Sequence, residues 1–141
     1  SARVEQGNWN RIVDGDVAIL DGSRSLFACG MPDAELERRC AGFDIHPTGP
    51  LPGKGGRLLA ERAALEIETT ALADCEPVIS GLAAAGLEAA RRSLRLYPAG
   101  LEWAREGPDL VLSFELPAGG YATGVLRELV STAEGTISEE A

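Results

Sequence analysis

Between Phe43 and Gly56 the chain carries three prolines and four glycines, in the run Phe-Asp-Ile-His-Pro-Thr-Gly-Pro-Leu-Pro-Gly-Lys-Gly-Gly. Proline brings no backbone N–H to a helix or ladder, and glycine loses the most conformational freedom when ordered. Such density predicts an irregular connection in which no regular element survives. A chain of 141 residues interrupted this way must be built from short elements on either side of the break.

Before the break, residues 1–6 read as the end of a helix stopped by Gly7-Asn8, and no Met precedes Ser1, so a fragment of a longer protein is expected. Val17–Leu20 and Ser25–Cys29, joined through Asp21-Gly22, read as a β-hairpin. Met31–Ala41 reads as a short helix, with Pro32 at its start, acids in its first turn and Arg38-Arg39 in its last. After the break, Leu58, Leu65 and Leu72 recur every seven residues and predict an amphipathic helix from Arg57 to Cys75. A second helix is expected from Pro77 to about Tyr97, with Ile79, Leu82, Gly86, Ala90 and Leu94 as its buried stripe and Pro98 as its end. Leu101–Arg105 and Leu110–Leu116 read as strands around the turn Glu106-Gly107-Pro108-Asp109, followed by a helix over Tyr121–Ser131 and an acidic tail. The fold class expected is α+β.

Net charge is -9, which argues against a polyanionic partner when taken as a total. The acidity is uneven: residues 1–96 hold 14 acids and 11 bases, or -3, whereas residues 97–141 hold 8 acids and 2 bases, or -6. Cys29, Cys40 and Cys75 form no CxxC pair, so neither a zinc site nor a disulfide framework is indicated, and a reducing, cytoplasmic compartment fits. No segment approaches the 18 or more apolar residues of a membrane span.

One histidine, His46, with no serine elbow or reactive cysteine nearby, is a poor basis for triad catalysis and reads as a local hydrogen-bonding residue of the break. Lys54 follows Gly53, but Thr48 and Gly55 stand where a phosphate-binding P-loop needs Gly and Ser or Thr. No acid occurs from Ile45 to Ala60, so Lys54 and Arg57 give this stretch a positive charge. Arg91, Arg92 and Arg95 would share one side of the second long helix. Of the 13 bases 12 are arginine, whose planar fork suits phosphate, so these five residues are candidate phosphate contacts. In Leu116-Pro117-Ala118-Gly119-Gly120-Tyr121-Ala122-Thr123 a strand ends in proline, two glycines permit a tight turn and an aromatic opens a helix. A nucleobase can stack on such a ring, although a plain strand-to-helix corner would also carry this sequence.

Taken in order, Asp14-Gly15-Asp16, Gly22-Ser23-Arg24-Ser25-Leu26-Phe27, Asp44-Ile45-His46-Pro47-Thr48-Gly49-Pro50-Leu51, Ala89-Ala90-Arg91-Arg92, Leu96-Tyr97-Pro98 and Leu116 through Leu129 resemble the TruD family of tRNA pseudouridine synthases. The resemblance implies an enzyme that isomerises a uridine of the tRNA D-arm region, expected at position 13, to pseudouridine without metal or organic cofactor. It implies that residues 1–96 form the TRUD insertion domain and residues 97–141 the C-terminal part of the catalytic domain. It assigns substrate binding to Tyr121, and Gly119, Gly120, Thr123 and Arg127 to support of the pocket. The family's nucleophilic aspartate follows a lysine, and none of the seven aspartates here does, so this chain alone is expected to be inert. The expected partner is tRNA, with no membrane, and self-association through residues 97–141 if strands that cover Leu110, Leu112, Phe114 and Leu116 lie elsewhere. The alternatives are a non-catalytic RNA-binding module and a protein-interaction domain.

Overall fold

A computed structural model describes residues 2–55 and 59–130, which fall into two compact units dividing between Arg95 and Leu96. The first unit is built around β1 (Asp16–Leu20), paired antiparallel with β2 (Leu26–Gly30) through the expected Asp21-Gly22 turn. Its sheet has the order β2-β1-β3-β4, with β3 at Ile45–Leu51 and β4 at Ala90–Ser93. Successive side chains of a strand face opposite ways, so the sheet has two distinct sides. On one, Ala18 and Ile45 join Ile12 and Cys40 of helix α2 (Ala34–Ala41) in the apolar core, with Leu20, Phe27, Cys29 and Leu36 packed around them. On the other, Val17 and Thr48 are fully buried, and Arg91 of β4 reaches Glu68 of helix α3 (Arg62–Leu72).

One turn connects these layers. Asp16 is fully buried and accepts from both terminal nitrogens of Arg3, at 2.9 and 3.1 Å, and from the backbone N–H of Val13 at 2.6 Å. Arg3 lies in the short helix α1 (Ala2–Glu5) and also donates to the carbonyls of Asn8 and Arg11. The carbonyls of Asp14 and Gly15 accept from Ala64 and Glu61, which ties the same turn to the start of α3. Gly15 has φ +83°, and a Cβ there would sit 1.9 Å from the Glu61 carbonyl oxygen. No side chain fits that position.

Two expectations fail. The proline-rich run is not irregular: β3 passes through both Pro47 and Pro50. Leu94 donates to the Pro47 carbonyl at 2.9 Å, so the Pro47–Leu94 pair is a hydrogen-bonding pair of the β3–β4 ladder lacking one bond, just past its last registered partners, Thr48 and Ser93. Bonded pairs alternate along an antiparallel ladder, so Pro50, opposite Arg91, aims its nitrogen toward β1, where pairing stops at Pro47. The prolines therefore cost β3 little, as at a sheet edge.

The second long helix is likewise two elements. After a 3₁₀ turn (Ala73–Cys75), helix α4 covers only Glu76–Ala84, and Ala90–Ser93 is strand β4. The stop is Gly86, at φ +79°, with Leu87 N–H bonded to the Leu82 carbonyl and Gly86 N–H to that of Ala83. That is a Schellman cap with glycine in the left-handed place. Gly7, at φ +66°, ends α1 by the same pair of bonds, Asn8 to Arg3 and Gly7 to Val4. Helix α2 ends so too, through Asp44 to Arg39 and Phe43 to Cys40, but its left-handed residue is Phe43, at φ +61°. A side chain there costs about 1 kcal/mol. Helix α3 begins at Arg62, five residues later than expected; Arg57 lies outside the described residues.

In the second unit β5 (Ala99–Glu106) and β6 (Asp109–Glu115) form a hairpin closed by the two-residue loop Gly107-Pro108. Gly107 has φ +62°, the hand that such short hairpin loops need. Helix α5 covers Ala122–Leu129, and the acidic tail lies outside the described residues.

Replacing Arg3 with Met strands the Asp16 carboxylate in a buried site and should lower unfolding free energy by about 3 kcal/mol, measured by urea denaturation. Adding Asp16→Leu should recover part of that loss. Burial first, and then the charge of Asp16, push the Cys29 thiol up to about 11 from its ordinary value of 9.0. The unfolded chain then loses this proton first, so stability contributed by the thiol is present below pH 9 and declines from pH 9 toward pH 11. Cys29→Ala should flatten that part of the stability profile.

Candidate functional site

The corner between β6 and α5 is shaped by its glycines. Gly120 N–H donates to the Pro117 carbonyl at 2.8 Å, and Gly119, at φ +87°, takes the third place of this turn. A positive φ there is what a type II turn requires. A Cβ on Gly120 would meet Leu96 Cδ1 at 2.9 Å and the Pro117 oxygen at 3.0 Å, so the turn is held tightly against its own unit. Tyr121 follows in an extended conformation, at φ -121° and ψ 125°, as the residue before the first turn of α5. Its side chain caps no helix N–H, and 69% of the residue is exposed. Within α5, Val125 is buried, Thr123 half-buried and Arg127 exposed. The arrangement presents a phenol ring to solvent on a backbone with little freedom, which suits stacking on a planar ligand.

The candidate phosphate contacts are placed differently from expectation. Arg91 and Arg92 sit on β4 and Arg95 beyond its end, so they do not share a helix face. Arg91 donates Nε–H to the Thr48 hydroxyl at 2.8 Å and pairs through both terminal nitrogens with Glu68; its side chain is only 5% exposed. Arg95 donates Nε–H to His46 Nδ1 at 2.8 Å and bonds the carbonyls of Cys40 and Ile45. An arginine N–H can only donate, so Nδ1 of His46 is the acceptor and Nε2–H donates to Asp21 Oδ1 at 2.7 Å. His46 is thus a buried clamp within β3. Its ring joins the β1–β2 turn to the segment after β4.

Arg92 and Lys54 are exposed. Lys54 is fixed by its backbone, which donates to Leu87 at 2.7 Å and accepts from Ala89 at 3.0 Å. Gly53 makes that approach possible, because a Cβ there would lie 2.5 Å from the Leu87 carbonyl oxygen. The lysine is therefore held out on a braced arch. Sequence spacing missed the Arg91–Glu68, Arg91–Thr48 and Arg95–His46 contacts, whose partners are 23, 43 and 49 residues apart. Glu68 lies within the segment expected to form an amphipathic helix, and its charge sign is the only signal the sequence offers for this pairing. Among the described residues no group of three His, Cys, Asp or Glu side chains could hold a metal ion, and no helix is long and apolar enough to cross a membrane.

A family model described as tRNA pseudouridine synthase D (TruD) matches residues 1–129. Among curated proteins, the tRNA pseudouridine synthase D of Xanthomonas campestris pv. campestris (strain 8004) is 49% identical over 132 residues, covering 92% of this chain and 36% of that protein. The enzyme of the same name from Methylococcus capsulatus is 45% identical over 131 residues, covering 92% of this chain and 37% of that one. A crystal structure from Methanosarcina mazei, described under the same TruD name, matches at 26% identity with a TM-score of 0.64, over 90% of this chain and 33% of that one. The chain therefore spans little more than a third of the length of the curated relatives it matches. With the family model running from the α1 segment to the end of α5, the chain belongs to the TruD family.

Proposed function

We propose that this sequence works as part of a cytoplasmic tRNA pseudouridine synthase D, an isomerase that converts a uridine of tRNA, at position 13, to pseudouridine. The observation that carries the reading is the Tyr121 corner: an exposed ring on a glycine-built turn, inside the segment matched by the family model. In this reading the target uracil leaves its stack to be reached, and Tyr121 forms one wall of its pocket. Gly119 and Gly120 shape that wall, and Thr123 and Arg127 support it from α5. An aspartate carboxylate outside this sequence drives detachment, rotation and reattachment of the base, with no metal or organic cofactor.

Residues 1–96 are read as the TRUD insertion domain and 97–141 as the C-terminal part of the catalytic domain. One feature supports this: the division between the compact units, after Arg95, falls within one residue of that boundary. Lys54 and Arg92 are the foremost candidates for phosphate contact; Arg57 is a further candidate that lies outside the described residues. Arg91 and Arg95 contribute by holding β3 and β4 in place.

In the second unit, Trp103 stands opposite Leu112 and Arg105 opposite Leu110, on one side of the hairpin. Trp103 is 73% and Leu110 53% exposed. In the longer protein this side belongs against the remaining strands of the catalytic sheet; in the isolated chain it drives self-association. Sedimentation velocity of the 141-residue chain should show mass rising with concentration, and Trp103→Lys should suppress the rise.

The reading is tested by pseudouridine mapping of a tRNA transcript treated with a chain of the relatives' full length that carries this sequence. Pseudouridine should form with that chain and not with residues 1–141 alone. Tyr121→Phe should retain most of the rate, whereas Tyr121→Ala should lose about 10- to 100-fold of kcat/KM, the scale of one lost base-stacking contact. Equal rates for Tyr121→Ala and the unaltered enzyme would remove Tyr121 from the site.

A further inference from the structure

Helix α1 stops at Gly7, and the next four residues, Asn8-Trp9-Asn10-Arg11, close a β-turn in which the Arg11 N–H donates to the Asn8 carbonyl at 3.3 Å. Trp9 and Asn10 take its two corner positions. Corners of this kind favour glycine, proline, asparagine, aspartate and serine, so Asn10 fits the rule. Trp9 does not: it sets the largest apolar side chain at the tip of a turn, and 38% of the residue is exposed. It is not among the side chains that build or pack against the apolar core around Ala18 and Ile45.

The backbone of this turn is pinned from inside. Arg3, which pairs with the buried Asp16, directs further N–H groups to the carbonyls at the two ends of the turn: Nη2 bonds Asn8 at 2.9 Å and Arg11 at 2.8 Å, and Nε bonds Asn8 at 3.3 Å. The Cys40 thiol donates to the Asn10 carbonyl at 3.4 Å. The side chains at the tip are left unengaged. Among the described residues the Trp9 indole N–H and the Arg11 guanidinium donate no hydrogen bond, and no carboxylate pairs with Arg11. Asn10 and Arg11 are exposed, and no acid occurs from Gln6 to Val13. A flat ring beside a guanidinium whose charge is not cancelled is the pairing that holds single-stranded nucleic acid, the ring against a base and the guanidinium against a phosphate. A pinned backbone has little freedom to lose when such a ligand arrives.

We propose that the Asn8–Arg11 turn is an RNA contact of the first unit, in which Trp9 stacks on an unpaired base and Arg11 meets a phosphate beside it. The inference rests on the proposed action on tRNA and adds to it a contact that reads a base by its face. Such a contact tolerates any of the four bases, because each has a π-face. Arg3 serves it as a positioning residue, through the two carbonyls it holds.

The test measures binding of an unmodified tRNA transcript to a chain of the relatives' full length that carries this sequence. Trp9→Ala should weaken binding about tenfold, while Trp9→Phe, which keeps a ring, binds like the unaltered protein. The slope of log affinity against log salt should be unchanged in Trp9→Ala and shallower by about one counterion in Arg11→Gln, since only the second loses a phosphate contact. Each affinity is read well below the variant's own melting temperature, so that loss of folded protein does not enter, and Arg11→Gln should melt with the unaltered protein. Affinity within twofold of the unaltered protein in Trp9→Ala would overturn the proposal, and so would an unchanged salt slope in Arg11→Gln. A turn that serves a protein partner instead would show as tRNA affinity untouched by both variants, which also overturns it. If the unaltered protein neither binds nor modifies tRNA, the functional reading fails and takes this inference with it; if it does both and the variants match it, this inference alone fails.

Discussion

The buried pair between Arg3 and Asp16 is the attachment on which the first unit depends. Asp16 is the first residue of the central strand, Arg3 belongs to the helix that precedes it, and the carbonyls just before Asp16 receive the first turn of α3. A carboxylate with no exposure tolerates such a place only when its lone pairs are filled, and here two guanidinium nitrogens and one backbone N–H fill them. The turn is specified from both sides: Gly15 is demanded by the Glu61 backbone, and Asp16 by Arg3. A tripeptide Asp-Gly-Asp is among the least distinctive in any sequence. Its importance here comes from what the rest of the chain brings to it.

That contrast explains what could be read from the sequence. The two hairpins, the presence of helix α2 and the glycine-built Tyr121 corner were legible because the residues that cause them are within a few positions of one another. Strand β3 was not, because the rule against proline in a strand concerns a lost hydrogen bond, and whether a bond is lost depends on neighbours far along the chain. β1 serves its first half and β4 its second, so each proline nitrogen falls where the ladder asks for little. The error over Ala90–Ser93 has the opposite origin. Gly86 occupied a position compatible with a small-residue helix stripe, and its role as a left-handed stop appears only in the bonds from Leu87 and Gly86 to the end of α4. Once that helix stops, four residues of unremarkable propensity are claimed by the open edge of β3.

The same shift changes what the arginines do. On a helix Arg91, Arg92 and Arg95 would have formed one charged face. On and after a strand they part company. Arg91 turns inward to Glu68 and Thr48, Arg95 reaches to the end of α2 and the start of β3, and Arg92 remains outside. The site residues read from composition were therefore of two physical kinds that composition does not distinguish: cations that hold the sheet, and cations that a ligand can reach.

This sorting bears on the charge of the chain. Eleven of the thirteen bases lie before residue 97, which at first weighs in favour of an electrostatic RNA surface there. Yet Arg3, Arg38, Arg39, Arg62 and Arg91 each hold a carboxylate, and Arg95 is held by His46 and two carbonyls. A guanidinium already matched by a carboxylate adds little net field at the distance of an approaching phosphate, particularly at physiological salt. Contacts that salt does not screen then weigh more than the count of arginines suggests. An aromatic ring on a braced backbone, such as Tyr121, offers a contact of that kind.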